Sequence, residues 1–227
     1  MSKKLLYCTH SAGFRHDCLS YSLDVMEKLG RESNGAFEAS VTNDATLITP
    51  DAIERCDAIA FCTTGELPMT EAAKSALIEG VKGGKGFIGI HNATDTFYQF
   101  APYGEMLGGY FDGHPWNQEV GIIVEDKNHP ATRDLGDSFR ITDEIYQQRN
   151  FSREKSHVLL RLDNSTVDLK KESVKRADLD FAMAWCRTYG EGRVFYTGLG
   201  HSNEVWGDER FQRHLLGGIL WALRLAD

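Results

Sequence analysis

The stretch GFIGIHNATD, residues 86–95, decides the fold. Phe87, Ile88 and Ile90, separated only by glycine, form a short apolar run that ends at His91 and passes straight into Asn-Ala-Thr-Asp, residue types that cap helices. The expected reading is strand, sharp turn, helix start. In many α/β enzymes an elbow of this kind presents a serine or cysteine nucleophile at the top of the sheet. Here it presents an imidazole.

Outward from the elbow, similar strand-like runs occupy 3–8, 37–42, 57–62, 118–125, 157–162, 181–187 and 193–199. Between the early ones, 17–29 and 70–82 carry apolar residues at helical spacing, the second behind a Thr-Glu capping start. Strands alternating with helices predict an α/β fold, a mostly parallel sheet with helices on both faces. A last helix carries Phe211, Leu215, Ile219 and Leu223 at steps of four, with Gly217 and Gly218 expected to let it approach the sheet closely. Residues 163–180 are polar, charged and without period, so a solvated and mobile insertion is expected there.

A chain of 227 residues suits one domain, 1–227. A net charge of −8 opposes binding to a phosphate backbone, so nucleic acid is not an expected partner. The apolar part of the opening segment, Leu5–Cys8, is far shorter than a signal-peptide core, and no run is long enough to span a bilayer. Five widely spaced cysteines contain no Cys-x-x-Cys pair, which points to a reducing cytoplasm rather than a disulfide framework or a zinc knuckle.

One match is misleading. Gly84-Lys-Gly86-Phe-Ile-Gly89 spells a dinucleotide fingerprint, but its glycines precede a strand instead of opening a helix, so no pyrophosphate site is expected.

Ligands of open parallel sheets bind beyond the carboxyl ends of the strands. His10, the TTGE stretch at 63–66, His91 and His201 all fall at such ends and are expected to converge on one crevice. His16 sits where the first loop becomes a helix, His114 in a Gly/Pro-rich loop, and Glu144 at the end of a strand-like stretch beside Tyr146. His129, His157 and His214 are read as structural. Tryptophans 116, 185 and 206, with Tyr98 and Tyr146, are of a type that stacks on sugar rings while carboxylates accept from hydroxyls.

With these residues in view, the chain resembles the ThuA-like family, named for trehalose utilisation, of the class I glutamine amidotransferase-like superfamily. The resemblance rests on GFRHD (13–17), GGKGFIGIHNATD (83–95), LGGYFDGHP (107–115), VEDKNHPAT (124–132), DEIYQ (143–147) and AWCRTYGEGRVFYTGLGHSNEVW (184–206). It implies a flavodoxin-like fold and a part in the catabolism of trehalose or related disaccharides at the level of 3-keto sugars, with a sugar dehydrogenase as pathway partner. In the amidotransferases a cysteine holds the elbow and a His-x-Glu pair follows a late strand. Here His91 holds the elbow and Glu204 falls one residue too far from His201, so glutamine hydrolysis is not expected.

The expectation is therefore a carbohydrate-processing enzyme using His/carboxylate acid-base chemistry. His201 is its acid or base, Glu144 its carboxylate partner or second base, and His91 the donor toward a developing oxyanion. His16, Asp95, His114, Tyr146 and Trp185 are the expected substrate contacts. The sequence requires no cofactor, while a divalent metal on His91, His114 and His201 is the second version of the same chemistry. The alternative is a non-catalytic sugar-binding or regulatory module. A homodimer is the base-rate expectation for assembly.

Overall fold

The computed structural model describes residues 2–227. Its first part alternates β1 (Lys3–Cys8), α1 (Leu19–Glu32), β2 (Phe37–Thr42), α2 (Pro50–Arg55), β3 (Ala58–Phe61), α3 (Glu71–Lys82) and β4 (Gly86–Ile90). There follow α4 (Ala101–Leu107), β5 (Tyr110–Phe111), β6 (Trp116–Val124), β7 (Ser138–Ile145), β8 (Gln148–Arg149), β9 (His157–Leu162), β10 (Ala182–Tyr189), β11 (Gly192–Thr197), α5 (Asn203–Gly207) and α6 (Glu209–Ala222). Nine strands form one sheet in the order β2-β1-β3-β4-β11-β10-β9-β6-β7. The larger part, β2 to β11, is parallel. The remaining four strands extend it antiparallel, so the α/β sheet is mixed.

The parallel strands are apolar throughout because both of their faces are covered. Every residue of β3 and β4 is buried. On one face, Leu5, Ile88, Ile90 and Phe195 pack with Val25 and Met26 of α1 and Phe211, Leu215 and Ile219 of α6. On the other, Ile59, Phe61 and Phe87 pack with Ile53, Leu77, Val81, Met106 and Leu107 of α2, α3 and α4. The Thr70 hydroxyl caps α3 by accepting from the Ala73 N–H, as the capping start predicts. Among the described residues no helix is long and apolar enough to cross a membrane.

Close packing accounts for the glycines that mimic a nucleotide fingerprint. A Cβ on Gly86 would lie 2.7 Å from the Ala222 carbonyl oxygen, and one on Gly89 would lie 2.8 Å from Leu107 Cδ1. The pair on α6 divides its work. Gly218 admits the Phe195 ring of β11, whereas Gly217 faces the Pro130–Ala131 backbone instead of the sheet.

Residues 163–180 are mostly exposed, as expected of a solvated insertion, but they are tied down by specific hydrogen bonds. Trp116 Nε1 donates to the Asp168 carbonyl at 3.1 Å, Gln147 Nε2 to the Ser173 carbonyl at 2.7 Å, and the Lys175 N–H to Gln147 Oε1 at 2.8 Å. These bonds to loop backbone carry no periodic signal in the sequence.

The feature that positions the site is the β6–β7 ribbon. Only Ile122–Val124 of β6 pairs with β9, while Trp116–Ile123 pairs along β7. At Gly121 the sheet partner is replaced by the 163–166 turn: Asp163 N–H donates to the Gly121 carbonyl and Gly121 N–H to Thr166 Oγ1. The far half of the ribbon therefore leaves the sheet. In a flat sheet five strand spacings would separate β7 from β4 by about 24 Å. Instead, Glu144 near the end of β7 lies 3.6 Å from His91. The ribbon arches back over the carboxyl ends of the parallel strands.

Candidate active site

His91 follows β4 with φ +44°, left-handed backbone that a non-glycine residue adopts at a cost of about 1–2 kcal/mol. Neighbours hold it there. The Tyr196 hydroxyl donates to the His91 carbonyl at 2.7 Å, and the imidazole, wholly buried, packs on Tyr146 with ring centroids 4.2 Å apart. Because β4 and β11 are in register at Ile90 and Thr197, His91 stands beside Gly198. Its Nδ1 donates to the Gly198 carbonyl at 2.8 Å, so Nε2 is the nitrogen turned into the site.

His201 comes from the loop after β11, whose Gly200 has φ +121°. Asp143, buried on β7, accepts from the N–H groups of Gly200 at 2.8 Å and His201 at 3.1 Å. Burial pushes the Asp143 carboxyl above its ordinary value. Trp206 braces the same loop by donating from Nε1 to the Gly200 carbonyl at 2.9 Å. Held from both sides, His201 Nδ1 reaches 3.3 Å from His91 Nε2 and 3.2 Å from Glu144 Oε2.

Glu144 is the hub. Its Oε2 faces His201 and His91, and its Oε1 lies 3.3 Å from Nδ1 of the half-exposed His114. Burial pushes this carboxyl up, but the imidazoles of His201 and His91 beside it outweigh that and hold it far below its usual range. The hydrogen bond to Glu144 raises His201 in turn.

His16 completes the cluster, its ring centroid 5.0 Å from those of both His91 and His201. Burial, with the neighbouring imidazoles, lowers it to about 3, so it is neutral in the folded protein. Asn92 Nδ2 sits 3.1 Å from His16 Nδ1, and Asn92 Oδ1 is buried without a partner. One ligand atom each from His16, His91, Glu144 and His201 lie within 4.8 Å of one another. Three imidazoles and a carboxylate are donors that suit zinc, manganese or iron. The cluster meets solvent through the side chains of His201, 25% exposed, and His114, 50% exposed.

The structure thus gathers His16, His91, His201 and Glu144, with His114 at the rim. The set that could hold a metal ion contains His16 where the sequence suggested His114. Asp95 is near, half-buried, raised by burial, and accepts from the Tyr98 hydroxyl at 2.6 Å. Tyr146 forms the wall behind His91. Trp185 is placed differently from the expected substrate contact: it is wholly buried, packs at a tilt on Tyr196 and donates to the Leu107 carbonyl at 2.9 Å. Trp116 and Trp206 are also buried with their N–H groups satisfied inside, so none of the three can stack on a ligand. His10 stands apart, 3.1 Å from the Asn43 carbonyl.

Sequence reasoning overlooked Asp143, Asn92 and Phe14, whose ring meets His16 edge-on. The first two lie inside the DEIYQ and HNATD blocks, beside residues that were chosen, and only the loop geometry reveals what they hold. All five cysteines are buried, and burial pushes Cys8 up to about 11 and Cys18 and Cys186 up to about 12. Thiols so held are poor nucleophiles.

Comparison with known proteins agrees with this architecture. A ThuA-like protein of Bacteroides uniformis superposes with a TM-score of 0.80 at 23% identity, covering 97% of this chain and 91% of that one. One from Parabacteroides merdae gives 0.76 at 18% identity, covering 98% and 90%. The fold also recurs within a β-galactosidase of Rahnella sp. R3, with a TM-score of 0.59 and 14% identity, covering 99% of this chain and 32% of that one. Among curated protein sequences none matches. The family model for ThuA, described as trehalose utilisation, matches residues 4–222, and the chain belongs to that family.

Proposed function

We propose that this protein is a carbohydrate-processing enzyme acting on keto sugars of disaccharide utilisation through the His91/Glu144/His201 cluster. The observation that carries the reading is Glu144, one nearly buried carboxylate contacted by three imidazoles at a mouth open to solvent. A ketone acidifies the neighbouring C–H. Glu144 and His201 are placed as a coupled pair to take that proton from carbon and return one to the product, and Asp143 fixes His201 for the task. His91, rigid on its elbow, stabilises the oxygen on which negative charge develops when its Nε2 carries a proton to donate. Membership of a trehalose-utilisation family supports the sugar as substrate.

The cluster fits a divalent ion, which would supply positive charge for that developing oxyanion. His91 has its Nδ1–H on a backbone carbonyl and its Nε2 turned to His201 and Glu144, the orientation in which the deprotonated Nε2 would bind an ion. His16 becomes a ligand when the Asn92 amide turns its unpartnered Oδ1 to accept from Nδ1–H, freeing Nε2.

The test is NMR of 3-keto-trehalose in D2O with the protein, prepared without a histidine tag, alongside elemental analysis. Protein-dependent exchange or loss of the C–H beside the ketone is expected, together with a large drop for Glu144→Gln. Binding of the sugar without chemical change would mark a non-catalytic module instead. About one equivalent of metal per chain, and activity abolished by a chelator and restored by zinc or manganese, is expected of the metal-assisted form. Metal below a tenth of an equivalent, with activity surviving the chelator, would exclude it.

A further inference from the structure

Phe14 is 67% exposed, more than any other large apolar side chain among the described residues. Its backbone is nevertheless firmly held. Ala12 N–H donates to the Thr64 carbonyl at 2.8 Å, Thr64 Oγ1 donates to the Phe14 carbonyl at 2.7 Å, and Ser11 and Thr64 form a parallel bridge. The two loops approach so closely that a Cβ on Gly65, at φ +78°, would lie 2.8 Å from the Ala12 carbonyl carbon. A loop pinned this tightly displays its phenylalanine to water by construction. Folding forgoes most of the stabilisation that burying such a ring would bring.

What the ring does touch is the cluster. Phe14 meets His16 edge-on with centroids 5.0 Å apart, His16 meets His91 at 5.0 Å, His91 meets Tyr146 at 4.2 Å, Tyr146 meets Phe111 at 4.4 Å, and Phe111 meets His114 at 5.9 Å. These six rings form an unbroken arc. Its middle is buried, both ends reach solvent, and Glu144 touches it at His91 and His114. The polar groups around the arc are mainly carboxylates and imidazoles: Glu144 lies against three of the histidines, Asp95 ends the turn that begins at His91, and Arg15 and Asp17 are the charged residues of the Phe14 loop.

We propose that Phe14 is a substrate platform: it stacks on the apolar C–H face of an uncharged pyranose whose oxygens turn toward Glu144 and the histidines. An aromatic face beside carboxylate acceptors matches a sugar ring, which is apolar on its flat face and hydroxylated at its edge. The same carboxylates disfavour a phosphorylated sugar, since like charges at a half-buried site repel. The inference rests on the sugar-processing reading above and adds the residue and the substrate class.

The experiment measures binding of 3-keto-trehalose and trehalose to the Glu144→Gln protein and to the same protein carrying Phe14→Ala, by calorimetry and saturation-transfer NMR. Trehalose 6-phosphate is the charged control. Expected are a tenfold or larger loss of affinity in the Phe14→Ala protein, loss of transfer to the protons of one ring face, recovery with Phe14→Trp, and an unchanged Tm because the ring is exposed. Equal affinity with and without Phe14 overturns the platform while leaving the sugar reading intact. Tighter binding of the phosphorylated sugar overturns the neutral substrate class. If none of the sugars binds any form of the protein, the sugar reading falls and the platform with it.

Discussion

The Asp143 carboxylate accepts from the backbone N–H of Gly200 at 2.8 Å, joining the arching ribbon to the loop that carries His201. A second bond from the His201 N–H makes this carboxylate the clamp of the site, although it faces away from solvent. Asp143→Ala leaves three N–H groups, those of Gly200, His201 and Glu144, without their acceptor inside the protein, a loss of about 3–6 kcal/mol. Denaturant titration reads that loss. Turnover measured well below the unfolding midpoint should still fall, because His201 is no longer fixed. Full activity in the folded Asp143→Ala protein would show that the clamp is not needed.

Asn92 is predicted to tune metal affinity through His16. Groups that orient a ligating histidine are typically worth 10–100-fold in affinity. Asn92→Leu should weaken zinc or cobalt binding by that factor, read by competition with a chromophoric chelator, while Asn92→Asp, which presents an acceptor to Nδ1–H, should keep or strengthen it. Identical affinities for the three proteins would remove His16 from the ligand set.

The elbow gives a prediction about backbone strain. His91→Ala and His91→Gly delete the same imidazole, but at φ +44° alanine carries the left-handed penalty and glycine does not. The glycine variant should be more stable than the alanine variant by about 1 kcal/mol. Both should lack activity. Thermal or urea unfolding of the two side by side checks the order.

Stability should depend on pH through histidines far from the site. His214 is buried, with Nδ1–H donating to the Ala131 carbonyl, and burial lowers it to about 4; His129 is likewise lowered to about 4. In the unfolded chain a histidine titrates near 6.5. Each ring therefore takes up its proton more readily unfolded than folded. The stability they contribute is fully present above about pH 6.5 and is lost as pH falls from there toward 4, by an amount on the order of a few kcal/mol. Urea unfolding at pH 7.5, 5.5 and 4.5 measures this slope, and His214→Met should flatten it even if the variant is less stable at every pH.

Much of this molecule is legible in one sequence. Strands such as GFIGI declare themselves because burial on both faces leaves no room for polar residues, and the rule that sites lie beyond parallel strand ends picks out His91 and His201 by position. The stretch SFRITDEI is harder. Ser138, Arg140 and Thr142 of β7 are exposed, so the stretch lacks a clear apolar run and only its end at Glu144 stands out. The tryptophans mislead for a related reason: an indole suits a sugar ring and a core equally well, and composition cannot say where its N–H finds an acceptor. Phe14 escapes notice because nothing in GFRHD reveals that Thr64, fifty residues on, holds that loop open.

The arch of β6 and β7 also separates two kinds of collapse. His91 and His201 hang from strands knitted into the centre of the sheet, whereas Glu144 rides on a ribbon whose outer half has β6 pairing with β7 alone. Lifting that hairpin breaks few bonds of the parallel layer, yet it carries away the carboxylate that joins the imidazoles. Inactivation can then precede melting, and amide hydrogen exchange along 138–145 would register the peeling while the amides of 86–90 remain protected.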